Sequence, residues 1–218
     1  RNSGPFWEPG RFTIYITLAL AINLFYFKEK ITSKKSLVLL LTNLTTFSTT
    51  GYVATAVLFV GYIFFSNIKK SYKFILSVIL LVVVYYVGQL DFMTEKIAEQ
   101  SADDSTWSRF GAIAYHWNQI TQSPIIGFGP FLSNVFGDEL FSPNGLTDLM
   151  RYYGIPLSIV FYYLLYRGTK VYVGNSHKGA NVCVFVSLLL LCFSQTITYS
   201  PFFMILYFFA FNTYTYDK

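Results

Sequence analysis

Arg1, Arg11 and Arg109 are the residues with the plainest chemical potential in this chain. A guanidinium is charged at every physiological pH and matches the paired oxygens of a phosphate bidentately, so each could hold an anion. An ion pair with an acid is the other reading, and Glu8 is within reach of Arg11. Trp7, Trp107 and Trp117 could stack on a sugar ring or sit at a membrane interface, where amphipathic rings gather. Arg151 differs, because Asp148 precedes it by three residues and the two would pair on a helix. The two histidines, His116 and His177, and the two cysteines, Cys183 and Cys192, show neither zinc-ligand spacing nor a disulfide framework, so no metal is expected.

The elements that must position these residues belong to an apolar chain. Of its 218 residues 54% are hydrophobic, 20% aromatic and only 12% charged, against about 25% charged in soluble domains. Mean hydropathy is +0.45. Six apolar regions recur, Phe12 to Phe27, Ser36 to Ile68, Phe74 to Leu90, Tyr152 to Tyr166, Ala180 to Ile197 and Pro201 to Tyr214. Repeated runs of this kind predict an all-α, polytopic membrane helical bundle, one integral membrane domain over 1–218. The chain starts at Arg1 and not at methionine. Its first ten residues are polar and rich in Pro and Gly, unlike a signal peptide, and it reads as a C-terminal piece of a longer protein.

Charge sets the orientation. Lys28, Lys30, Lys34 and Lys35 follow the first region, Lys69, Lys70 and Lys73 the second, and Arg167, Lys170 and Lys178 the fourth, so these three connections are expected inside. Ser36 to Ile68 must then cross twice. Its 33 residues supply only about 50 Å of helix where two crossings need about 60 Å. A turn at Thr45 to Gly51, short of the outer surface and flooring an outward cavity, satisfies both conditions. A single long tilted helix, its hydroxyls bonded to its own carbonyls, is the alternative.

With the turn, the chain makes seven crossings, and the long segment 91–150 falls outside together with Arg1, Arg11, Arg109 and all three tryptophans. This extracytoplasmic loop should be partly helical, because about 60 structureless residues are rare in a compact protein. Ser105 or Ser108 can start a helix that Pro124 stops after Gln122. Phe110, Ile113, Ala114, Trp117 and Ile120 share one face and predict its buried side, while His116, Asn118, Gln119 and Gln122 lie away from it. Ser123 to Pro130 then forms a tight Pro/Gly turn, either a working element or a plain return to the bilayer.

Together these features resemble the bacterial O-antigen ligase and O-antigen polymerase superfamily. The likeness rests on Arg1 and Gly4 followed by Glu8-Pro9, on Thr46-Phe47-Ser48, on Arg109 leading into Ser123 to Gly129, and on Asn144 with Gly154-Ile155. Ligase-type members usually carry Ser-Arg after the Thr and His-Asn before the last helices. Here Thr49 follows Ser48 and Pro143 precedes Asn144, which tilts the reading towards a polymerase or a divergent relative.

The resemblance implies transfer of an undecaprenyl-pyrophosphate-linked glycan to a sugar hydroxyl at the outer face of the bacterial inner membrane, without cofactor or metal. Arg1 and Arg109 are its implied grip on the diphosphate. Glu8, and behind it His116, are candidate bases. Arg11, Ser48, Trp107, Trp117 and Asn144 are candidate substrate contacts. The implied partners are a polyprenyl-pyrophosphate-linked oligosaccharide, an acceptor glycan or lipid A-core, and membrane lipid, with no nucleic acid. A transporter or flippase for an amphiphilic substrate is the competing class, although the internal repeat usual in transporters is not evident.

Overall fold

The computed structural model describes residues 2–6, 8–89, 94–95, 109–136, 144–173 and 179–212. Among them every regular element is helical: α1 (Pro9–Ala21), α2 (Lys34–Thr45), α3 (Thr49–Phe65), α4 (Lys70–Gly88), α5 (Arg109–Gln122), α6 (Leu132–Phe136), α7 (Gly145–Val173), α8 (Ala180–Ser194) and α9 (Pro201–Phe208). A π-turn, Ile22–Tyr26, extends α1. Among the described residues no helix is long and apolar enough to cross a membrane.

The region 36–68 is two helices and not one. Phe47 takes a positive φ of 52°, which ends α2 and turns the chain back into α3. Side-chain bonds close the turn: the Thr13 hydroxyl donates to Asn43 Oδ1 (2.8 Å) and lies 2.9 Å from Thr46 Oγ1, and Asn43 Nδ2 donates to Thr55 Oγ1 (2.6 Å). Gly51 makes the approach possible, since a Cβ there would collide with Thr13. Thr46 and Ser48 are therefore buried and internally bonded. The expectation that this hydroxyl cluster lines an open cavity is corrected at these two residues, because α1 packs over the turn and takes up their polar groups.

The contacts fix the directions. α2 runs antiparallel to α1, with Asn23 Nδ2 bonded to Ser36 Oγ (2.8 Å) at one end and Asn2 N bonded to Thr45 O (2.9 Å) at the other. α3 returns parallel to α1, so that the Phe25 and Tyr62 rings meet edge to face at 6.4 Å. α8 lies antiparallel to α3, where Gly61 admits Cys183 and the Ser187 hydroxyl donates to Ala54 O (2.8 Å). α7 is antiparallel to α8, and α9 runs parallel to α7 with Gly168 under Leu206. Ile14, Leu18, Leu24, Phe25, Leu58, Leu188, Leu191 and Phe203 fill the space between these helices.

The connections at 27–33 and 66–69 and the C-terminal end of α7, with Arg167 and Lys170, consequently share one end of the bundle, as the charge pattern predicts. Lys178 and most of 91–108 lie outside the described residues. Lys73 Nζ donates to Phe64 O (3.0 Å) at that end, a cation placed on the C-terminal carbonyls of α3.

α7 breaks at Gly154 (φ 76°, ψ 168°). Pro156 has no N–H to offer Tyr152 O, and the turn after α5 fills the gap: Ile155 N donates to Pro124 O (2.8 Å) and Phe128 N to Arg151 O (2.9 Å). The Ser123 to Pro130 turn is thus built into the broken helix and is no plain return loop.

Candidate active site

The polar residues of interest collect at the end opposite the lysines. Glu8 precedes Pro9, which is suited to a first helical position because its missing N–H would have no partner there. Gln195 ends α8 in extended backbone. Its amide Nε2 donates to Glu8 Oε1 at 2.6 Å, joining residues 187 positions apart. Gly145, the first residue of α7, packs against the backbone carbonyl of Gln195. Asn144 is fully buried just before it, and its Oδ1 accepts from Leu146 N (3.1 Å) and Thr147 N (3.3 Å). It satisfies two otherwise orphaned N–H groups of the helix.

One turn into α7 lies a second polar group. Arg151 Nε donates to Asp148 Oδ1 at 2.6 Å, and Arg151 Nη1 donates to Gln119 Oε1 at 3.2 Å. The pair is the local one expected from spacing, yet it is buried, with Arg151 only 1% and Asp148 2% exposed. Burial raises the Asp148 carboxyl above its ordinary range and the Arg151 guanidinium opposes that rise. The rings of Tyr152 and Tyr153 pack on Tyr199, at 5.5 and 5.9 Å, beside this pair.

His116 reaches the same helix from α5, its Nδ1 2.7 Å from Thr147 Oγ1. Burial, and then the Arg151 charge, lower its pKa from 6.5 to about 3. The imidazole is therefore neutral when folded and charges more readily when unfolded. Its contribution to stability is complete above about pH 6.5 and is lost as pH falls towards 3, at about 1.4 kcal/mol per pH unit. Melting of detergent-solubilised protein at pH 7.5, 6 and 5 should show this decline, and His116→Gln should flatten it. An equal acid slope in both proteins would show that this imidazole is not the acid-sensitive group.

The orientation of α5 corrects the sequence expectation. Ala112, His116, Gln119 and Ile120 are buried, whereas Trp117 is 54% exposed and Ala114 is exposed too. The reason is the partner surface: the first turns of α7 present Thr147, Asp148 and Arg151, and a polar face meets them better than an apolar one.

The other expected site residues fall as follows. Arg11 is half-buried one turn into α1. Ser48 caps α3, its Oγ accepting from Gly51 N at 3.3 Å. Arg109 opens α5. This helix runs parallel to the start of α7, with His116 level with Thr147, so the Arg109 backbone extends about 10 Å past that level, beyond the α7 N-terminus. Arg1, Trp7 and Trp107 lie outside the described residues. Gln195 bonds to Glu8 through its side chain and packs its backbone carbonyl on Gly145, the residue after Asn144. Sequence reasoning missed Gln195, whose one signal is that a long polar side chain follows the apolar run of α8.

Residues 36–148 match the sequence model of the O-antigen ligase family, just over half of the chain. The chain belongs to the O-antigen ligase family. No curated protein and no solved structure matches it. Membership makes it an enzyme of the ligase or polymerase type in surface-polysaccharide assembly, from a family of membrane proteins that act on lipid-linked oligosaccharides and acceptor glycans. The polar end of the bundle holds a carboxylate, hydrogen-bonding amides and the start of the helix that opens with Arg109.

Proposed function

We propose that the protein is a multi-pass membrane glycosyltransferase of bacterial surface-polysaccharide assembly, an O-antigen polymerase or ligase that uses an undecaprenyl-pyrophosphate-linked glycan as donor. One observation carries the reading: in a chain of this family, Glu8, Gln195, Asn144 and the Arg109 end of α5 share the bundle end opposite the lysine-rich connections. On the proposed topology that end is periplasmic, and 1–218 is one integral membrane domain whose loop 91–150 lies outside. The apolar side chains of α4 support it, since residues 74, 75, 78, 79 and 81–86 are all exposed. Among the described residues no single helix is long and apolar enough to cross a membrane, so the bundle as a whole is what would sit in the bilayer.

In the proposed reaction an acceptor hydroxyl loses its proton to Glu8 as its oxygen bonds to the anomeric carbon. The bond from that carbon to the diphosphate breaks, and its electron pair leaves on the polyprenyl diphosphate. Arg1 and Arg109 would neutralise the charge that develops there, work for which no metal or cofactor is required. His116 is a poorer base, because it is buried and bonded to Thr147. Arg11, Ser48, Trp107, Trp117 and Asn144 are kept as proposed substrate contacts. Of these, Asn144 and Ser48 already serve as helix caps.

Full-length protein incubated with lipid-linked repeat units should produce longer glycans. Arg109→Ala should lower elongation by about 10²-fold or more and collapse the surface-polysaccharide ladder at normal protein levels. An unchanged ladder would remove Arg109 from the mechanism. Transfer of lipid-linked glycan across vesicles without elongation would favour the transporter reading instead.

A further inference from the structure

Two glycines make room for one glutamine at the proposed site. A Cβ on Gly10 would lie 2.7 Å from Gln195 Nε2 and 3.5 Å from Glu8 Oε1, and a Cβ on Gly145 would collide with the Gln195 carbonyl. Both glycines sit at helix starts, in the first turn of α1 and at the first residue of α7, where alanine would be the better helix former. Gly10 faces the Gln195 side chain and Gly145 its backbone carbonyl; the residue is only 8% exposed, with its amide aimed at Glu8. Among the described residues Glu8 takes its one side-chain hydrogen bond from this amide. Its Oε2 is left for another donor.

We infer that Gln195 is a positioning residue: it fixes Glu8 by one oxygen so that the other faces the hydroxyl of the incoming glycan acceptor. The inference rests on the glycosyl-transfer reading above and adds to it the group that orients the base. The amide donates to Oε1 at 2.6 Å without adding a cation beside the carboxylate. A purely structural link would use the same hydrogen bond, so the two roles are told apart by kcat and its pH profile and not by stability. A positioning link requires the donor, and it requires the space that the two glycines leave.

The test uses full-length enzyme elongating lipid-linked repeat units, with kcat and acceptor KM followed from pH 5 to 9. Gln195→Leu keeps the volume and removes the donor, and should lower kcat about tenfold or more with acceptor KM unchanged. Gln195→Glu sets a second carboxylate against Glu8 and should move the acidic limb of the kcat profile up by about one pH unit. Gly10→Ala keeps the glutamine but sets a Cβ 2.7 Å from its Nε2, which must shift, so a structural role predicts a change in stability with full kcat. The positioning role predicts an intact fold with reduced kcat.

If the Gln195 variants fail to fold, Gly10→Ala decides alone. Active wild type with an unmoved pH profile in Gln195→Glu and full kcat in Gly10→Ala overturns the inference while the reaction stands. Wild type that never elongates glycans overturns the reaction reading and the inference with it.

Discussion

Gly154→Ala is expected to leave little folded protein. At φ 76° an alanine costs about 1–2 kcal/mol in backbone strain alone. Its Cβ would also collide with the Ile125 carbonyl oxygen and lie 2.5 Å from the Ile125 carbonyl carbon, backbone atoms that no rotamer change can move. The same interlock is reached from the other side at Gly127 (φ 73°), where a Cβ would fall 2.5 Å from Tyr152 O and 2.6 Å from Gly154 N. Relief would mean withdrawing the turn from the break in α7, and Arg151 O and Ile155 N would lose their partners. Each substitution should therefore cost about 2–5 kcal/mol, the sum of strain and two lost hydrogen bonds. Because both act by ejecting one turn, the double variant should be scarcely worse than either single one. Yield and melting temperature of the solubilised protein measure this. A Gly154→Ala protein that melts within a degree or two of wild type would show that the turn and the break are not coupled.

Arg151→Met should be the next most damaging change. The guanidinium is buried, and its removal strands Asp148 in a site that already disfavours the charged carboxylate. Breaking a buried pair in this way costs about 3–5 kcal/mol, while replacing both partners by apolar residues is often neutral. Asp148→Leu with Arg151→Met should accordingly recover most of the loss from either single substitution. The Gln119 Oε1 acceptor would still lose its donor, so recovery should stop short of wild type by about 1 kcal/mol. A melting series over the four proteins gives the coupling directly. Additive single effects would mean that the pair is solvated and that α5 docks on α7 for other reasons.

These two sites mark the division between what could be read from the sequence and what could not. The Asp148–Arg151 pair was legible because three-residue spacing on a helix brings side chains together whatever surrounds them. The two-helix nature of 36–68 followed from charge and length, since lysines at both ends and too few residues for two full crossings leave only a short return. The segregation of basic connections at one end of the bundle followed from the same count. The family resemblance was read from short motifs spread from Arg1 to Ile155.

Contacts between distant segments were decided by the tertiary structure alone. Hydrophobic periodicity chose the Trp117 face of α5 as the buried one, but the surface it meets on α7 is polar, and the His116 and Gln119 face won. The glycines of the 123–130 turn looked like loop residues until Gly127 was seen against the Gly154 break. Gln195 carries no motif, and nothing in a linear pattern links it to a glutamate 187 residues away. Local spacing fixed the helices and their nearest-turn pairs because those depend on a constant rise per residue. The site itself depends on which helix ends pack together, and that was settled by the shapes and polar demands of the surfaces brought into contact.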